Sequence, residues 1–195
     1  MSIKFLRPIV GCALILVCSL PAISGYSIDV NKAPDFPSGA GTIAILPPIC
    51  PPDVDAIWVA ETVAYEVKAR YKGTVIEPKQ VRQTMFEMGM EKIDDTNSQE
   101  LAKKMGATSI LVVKVSASGT SSTGSAYGTA TGTTVSAFSF QLAKGGMEFN
   151  LVSIENNKML MKAVGFGETD WKTSKGVLRT LIEKSLREAF GNRNY

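Results

Sequence analysis

Eighteen carboxylates, three cysteines and no histidine set the chemistry open to this chain. Without an imidazole there is no Ser-His-Asp or Cys-His nucleophile system and no histidine-ligated metal centre. Carboxylates alone leave glycoside-type hydrolysis formally open, because that reaction needs two acids facing each other across a cleft. The acids here fall mostly on predicted helix faces and turns, where a solvated charge is the default. No nucleotide fingerprint stands after the first strand either: Ile45-Leu46-Pro47-Pro48 lacks the glycines that let a backbone approach phosphate. The expectation is a protein with no catalytic residue, no metal site and no cofactor, one that works by contact.

The residues that could make such contacts gather around a proline turn. Pro48, Cys50 and Pro51 follow a short apolar run, and Trp58 lies seven residues beyond Pro51. Cys50 reads either as a small buried hydrophobe at a strand end or as an exposed thiol that pairs with a second chain. Trp58 sits between the apolar stripes of a predicted helix, so it either packs on neighbouring chain or serves as an interaction anchor. Tyr127 is the lone aromatic in a run of small polar residues. These five are the expected partner-binding residues.

The first residues read as a targeting segment. Lys4 and Arg7 form a positive head, Ile9 to Leu20 an apolar stretch, and Ala22-Ile23-Ser24 a small-x-small cleavage site, so 1–24 is expected to be a secretory signal peptide. The apolar stretch is shorter than the ~20 residues of a membrane span. Ile9-Val10-Gly11-Cys12 resembles a lipid-attachment site, but its apolar run follows the cysteine, and Cys18 follows Val17 where a small residue is expected; neither is read as lipidated. Loss of this segment removes Cys12 and Cys18, leaves Cys50 without an internal partner, and lowers the formal charge from +3 to about +1. No basic field remains to attract nucleic acid.

Residues 25–41, with Pro34, Pro37 and Gly41, read as an N-terminal arm. Thr42 to Leu46 is a buried strand ended by the prolines. Asp53 or Asp55 then caps a helix to about Tyr71, with Ile57, Ala60, Ala64, Val67 and Tyr71 as its stripe, Val59 and Val63 beside them, and Glu61, Glu66, Lys68, Arg70 and Lys72 largely outside it. Thr74-Val75-Ile76 is a second strand, and Glu77-Pro78 opens a helix buried through Val81 and Met85. Asn97 with Glu100 reads as the capping box of a short helix. Ala107 to Val115 is an apolar strand for the centre of the sheet. Lys144-Gly145-Gly146 reads as a turn. Met147 to Ile154 and Lys158 to Phe166 form a hairpin around Asn156-Asn157, with Met159, Met161 and Ala163 on one face. A last helix runs from about Thr173 to Phe190. The sum is a mixed α/β fold: one three-layer-like domain over 42–195, a mixed sheet with covering helices, and parallel crossovers at its start.

The run Thr42-Ile43-Ala44-Ile45-Leu46-Pro47-Pro48, then Val75-Ile76-Glu77-Pro78, then Leu101-Ala102-Lys103-Lys104-Met105-Gly106-Ala107 resembles the superfamily of the curli-secretion channel subunit, the TolB amino-terminal domain and the LpoB activator of penicillin-binding proteins. The resemblance covers about residues 42–115. It implies a mixed α/β sandwich, a non-enzymatic role in the cell envelope, and partners that are envelope proteins or further copies of the chain. It departs from the pattern in lacking a convincing lipid-attachment cysteine.

Residues 116–137 are Gly, Ser, Thr and Ala except for Tyr127 and Val135. They read either as a flexible polar insertion or as an extended hairpin, since threonine favours strands and Phe138, Phe140 and Leu142 share a face. The secretion-channel relatives use such a hairpin to build a membrane barrel. Neither face here offers the apolar band or aromatic girdle a barrel strand needs, so a projecting hairpin or loop that touches a partner is preferred. The functional expectation is a periplasmic protein, in peripheral contact with the outer membrane at most, acting by protein–protein interaction in envelope assembly or secretion. The alternative is a subunit of a curli-type outer-membrane channel.

Overall fold

The computed structural model describes residues 24–93, 95–127, 136–170 and 172–193. The signal-peptide expectation, with Cys12 and Cys18, lies outside the described residues. Six strands form one mixed sheet in the order β1-β6-β5-β4-β2-β3. The strands are β1 (Ser24–Lys32), β2 (Ile43–Ile45), β3 (Val75–Ile76), β4 (Ser109–Tyr127), β5 (Ser136–Ser153) and β6 (Met159–Thr169); the helices are α1 (Ala56–Lys68), α2 (Pro78–Glu87), α3 (Asp95–Lys104) and α4 (Ser174–Phe190). β2 is parallel to both β3 and β4, and the remaining pairs are antiparallel.

The apolar run at β2 follows from its place. Ile43 and Ile45 are buried with α1 and α4 on one face, whereas Ala44 and Leu46 are buried with α2 and α3 on the other. A strand covered on both faces needs no polar alternation. The prolines do not end contact with the sheet. Leu46 N–H donates to Leu111 C=O, and beyond the prolines Ile49 N–H donates to Val113 C=O while its own carbonyl accepts from Val115 N–H.

The sheet is three layers thick only over β2, β3 and the start of β4. On β5, β6 and β1 the face away from α4 is open, and the residues alternate accordingly. Met147, Phe149, Leu151, Met161 and Ala163 are buried under α4 and α1. The solvent face carries Lys162 paired to Glu148 at 2.9 Å and Lys144 to Glu168 at 3.7 Å.

Several sequence expectations change. The first half of the expected arm is strand: β1 pairs with β6 over nine residues, and Tyr26, Ile28 and Val30 alternate with Ser27, Asp29 and Asn31 at the strand period. Lys144-Gly145-Gly146 is not a turn but runs straight through β5. A Cβ on Gly145 would meet Leu178 at 3.0 Å and Val177 at 3.1 Å, and one on Gly146 would meet the Phe166 ring at 2.9 Å. These glycines serve close approach of α4 and of Phe166, not chain reversal. A bulge at Leu160 breaks the β5–β6 register between Leu151 and Val152, so Leu160 and Met161 are both buried and Met159 is exposed. The α1 stripe is turned toward Val59 and Val63, which leaves Ile57 out, and α1 ends at Lys68. α3 starts at Asp95, so Asn97 lies within it and donates its side-chain amide to Lys92 C=O instead of capping.

The small-residue segment is an extended hairpin. β4 and β5 pair from Ser109↔Ser153 to Tyr127↔Ser136, with residues 128–135 outside the described set. β6 leaves β5 at Ala143, so the seven pairs from Ser121↔Leu142 onward form a two-stranded ribbon with no third strand. At ~3.3 Å per residue it projects about 23 Å. A bulge between Val115 and Ala117 interrupts β4 before the ribbon begins, where β5 is still paired with β6; such a device bends a strand.

Candidate interaction site

Leu46, Pro47, Pro48 and Ile49 form one wall of a groove of about 610 Å³, which is lined also by Met85 of α2, Ile93, Ile110 and Val112. Proline fixes φ and presents an apolar ring with no donor to satisfy, so the wall is rigid, while Glu91, Lys92, Ser98 and Gln99 add polar lining. Ile49 is 59 % exposed at its rim. The groove has one carboxylate, Glu91.

A second concavity, about 310 Å³, lies on the other side of the sheet at the foot of the ribbon. Two helix starts meet there. Asp55 caps α1, its carboxylate accepting from Ile57 and Trp58 N–H at 3.1 and 3.0 Å, and Thr173 caps α4 through Gly176 N–H. Trp58 is half-buried, packed on the core and stacked beneath Lys175, whose Nζ is 4.6 Å from the ring centroid. Ser174 donates to Gly119 C=O at 3.2 Å, tying α4 to β4 where the ribbon departs. Asp53 and Asp55 share this concavity, but Asp55 is engaged by helix amides.

The five expected contact residues are not brought together. Pro48 lines the large groove. Pro51 accepts from Val54 N–H in the turn before α1. Cys50 is half-buried against the α1/α4 core; burial first, and the Asp55 carboxylate second, push its thiol up from the ordinary value. Trp58 lies in the smaller concavity, and Tyr127 stands at the far end of the ribbon, nine residues past Ser118, ~30 Å away at the usual strand rise.

Two features were not expected. Glu66 and Arg70 are almost fully buried and paired, Glu66 also receiving Arg193 at 2.7 Å, which ties α1 to the chain beyond α4. Phe86 is 82 % exposed on α2. The second was legible, since Val81, Met85 and Met88 follow helical spacing and Phe86 falls off it. The first was not, because a Glu and an Arg four apart read equally well as a solvated pair. Among the described residues no three His, Cys, Asp or Glu side chains gather as a metal site, and no helix is long and apolar enough to cross a membrane.

No family model matches this sequence, and no curated protein sequence matches it. Solved structures do share its mixed α/β fold. One is PelC from Paraburkholderia phytofirmans, a dodecamer, at 16 % identity over 87 % of this chain and 100 % of that one, with a TM-score of 0.55. Another is lipoprotein GNA1162 from Neisseria meningitidis, at 22 % identity over 76 % and 96 %, with a TM-score of 0.51. A more distant likeness, to the LpoB C-terminal domain from Salmonella enterica, has 13 % identity over 65 % and 82 % and a TM-score of 0.43.

Proposed function

We propose that this chain is a non-enzymatic protein of the bacterial cell envelope that acts by protein contact, self-association included, with the β4–β5 ribbon as its principal contact element. The observation that carries the reading is the ribbon itself. Seven strand pairs continue past every other strand of the sheet. An isolated two-stranded hairpin is marginal in water, and free strand edges are templates for strand addition. Ser, Thr, Gly and Ala supply little apolar surface to hold the ribbon in isolation, whereas small side chains permit close backbone approach by a partner. The dodecameric assembly of PelC, on the same fold, supports self-association. Export by residues 1–24 into the periplasm belongs to this proposal, as do contacts through Pro48, Cys50, Pro51, Trp58 and Tyr127.

The continuity of the ribbon favours one second reading, insertion of that hairpin in the outer membrane as part of a channel. Fractionation of the native protein decides between them. Release from membranes by high salt and carbonate supports the contact protein; a carbonate-resistant, detergent-soluble ring overturns it in favour of a channel.

A further inference from the structure

Among the described residues the sheet ends on β1, which has β6 on one side and no strand on the other. The direction of its backbone groups follows from the register. Ala33 N–H donates to Leu160 C=O at 2.9 Å, directly continuing the pairing of Lys32 with Met161. Bonding alternates along an antiparallel pair, so Ser27, Asp29 and Asn31 bond toward β6 while Tyr26, Ile28 and Val30 turn N–H and C=O outward. Natural edges are usually blunted by proline, bulges or charge. This one has no proline, and its register is unbroken from Ser24 to Lys32. Of its two charges, Lys32 is turned to the α4 carbonyls of Glu188 and Ala189 at 3.1 and 3.4 Å. Tyr26, Ile28 and Val30 lie on the α4 side and are still only half-buried, because cover is missing beyond the edge.

We infer that β1 is the seam between two copies of this chain, paired antiparallel about Ile28 into one continuous sheet. The inference rests on the reading that the chain acts by contact with proteins, itself among them. The strand is self-complementary in this register. Ile28 faces itself, Tyr26 faces Val30, Ser27 faces Asp29, Gly25 faces Asn31, and all nine residues are paired. An aromatic opposite a β-branched residue is a favourable cross-strand pair, whereas a pivot on Asp29 sets like charges opposite one another. Lys184 lies over the Tyr26 ring at 4.6 Å, and Lys32 is held by the backbone carbonyl of Glu188, so the cations near the seam are engaged within each copy.

Sedimentation equilibrium of the chain freed of residues 1–24 tests this. The wild type is expected at an even multiple of its own monomer mass. Ile28→Pro removes an outward N–H, a position where edge strands accept proline; the mass should fall at least twofold, and at concentrations where the wild type is itself dissociated the midpoint should fall less than in Ser27→Pro. Ser27→Pro removes an N–H bonded to β6 and should lower the midpoint more. Hydrogen exchange needs no variant: amides of 25–32 should gain protection as concentration rises. If the wild type assembles but Ile28→Pro keeps its mass, or if β1 exchange is independent of concentration, the seam is wrong and self-association stands. If the wild type is monomeric at every concentration, self-association fails as well.

Discussion

Replacing Glu66 by Gln tests how the helix layer is held together. The Glu66 and Arg70 side chains are 7 % and 2 % exposed, and Glu66 accepts from Arg70 and from Arg193. Arg70 also donates to the Glu66 backbone carbonyl at 3.0 Å, so the guanidinium is fixed in place whatever stands at the end of residue 66. The Gln variant keeps the shape and removes the carboxylate charge that both Arg70 and Arg193 approach. Breaking a buried pair on one side costs about 3–5 kcal/mol, whereas exchanging both partners for apolar residues is often neutral or stabilising. At roughly 2–4 °C per kcal/mol for a chain of this size, Glu66→Gln should lower the melting midpoint by about 6–20 °C. The double replacement Glu66→Leu with Arg70→Met should recover most of that loss. Urea titration with an unchanged m value would show that the native state itself lost stability. A Glu66→Gln midpoint within about 1 kcal/mol of wild type means that water reaches the pair and it behaves as a surface contact. A double variant no better than the single one refutes the buried-charge argument.

Gly145→Val sets a side chain against Leu178 and Val177, and overpacking of this kind should cost about 1–3 kcal/mol, read as a lower denaturation midpoint. Hydrogen bonds from Lys162 and then Asn150 hold the Glu148 carboxyl below its ordinary value; its contribution is present above the unfolded pKa and fades as pH falls through the lower folded one. The exposed setting limits it to about 1 kcal/mol, and Glu148→Gln should remove that part of the acid limb in melts taken below pH 5. Cys50, its thiol pushed up by burial and then by Asp55, should alkylate slowly at pH 7, as followed by peptide mass spectrometry, and faster in Asp55→Asn, which keeps a good helix cap. Trp58→Ala should melt in one cooperative step and weaken capture of partner protein; a collapse of the transition would make Trp58 a core residue only.

The sequence was most legible where one face of an element decides its composition. α4 and the core faces of β5 follow directly from period, because each buries a single side. β2 was legible for the opposite reason: an unbroken apolar run with β-branched residues suits a strand covered twice. Failures fell where a residue's role depends on a distant element. Gly145 and Gly146 have turn chemistry in isolation, and only the approach of α4 and Phe166 makes them strand residues. Met159 and Leu160 changed places through a bulge that no alternation pattern announces. β1 is different, since Tyr26, Ile28 and Val30 carried the period openly; the prolines further along obscured it.

The contact residues were harder still, because rigidity and exposure are different properties. The Pro47-Pro48 wall was read as a turn from its chemistry, but the chain runs on extended beside β4 to the Ile49–Lys114 bridge, and it gains a groove only because α2, α3 and β4 stand opposite. Trp58 and Cys50 belong to the other side of the same sheet, and Tyr127 to a ribbon that leaves it. A chain whose candidate contacts lie on two faces, one ribbon and one bare edge suits several neighbours at once better than a single ligand. A one-partner complex engages one of these regions, whereas a closed ring or layered assembly must engage at least two. Cross-linking through Trp58→Cys and Tyr127→Cys, each in a Cys50→Ser background, would separate these: capture by both positions in one particle requires a multi-contact assembly, and capture by one alone reduces the protein to a simple adaptor.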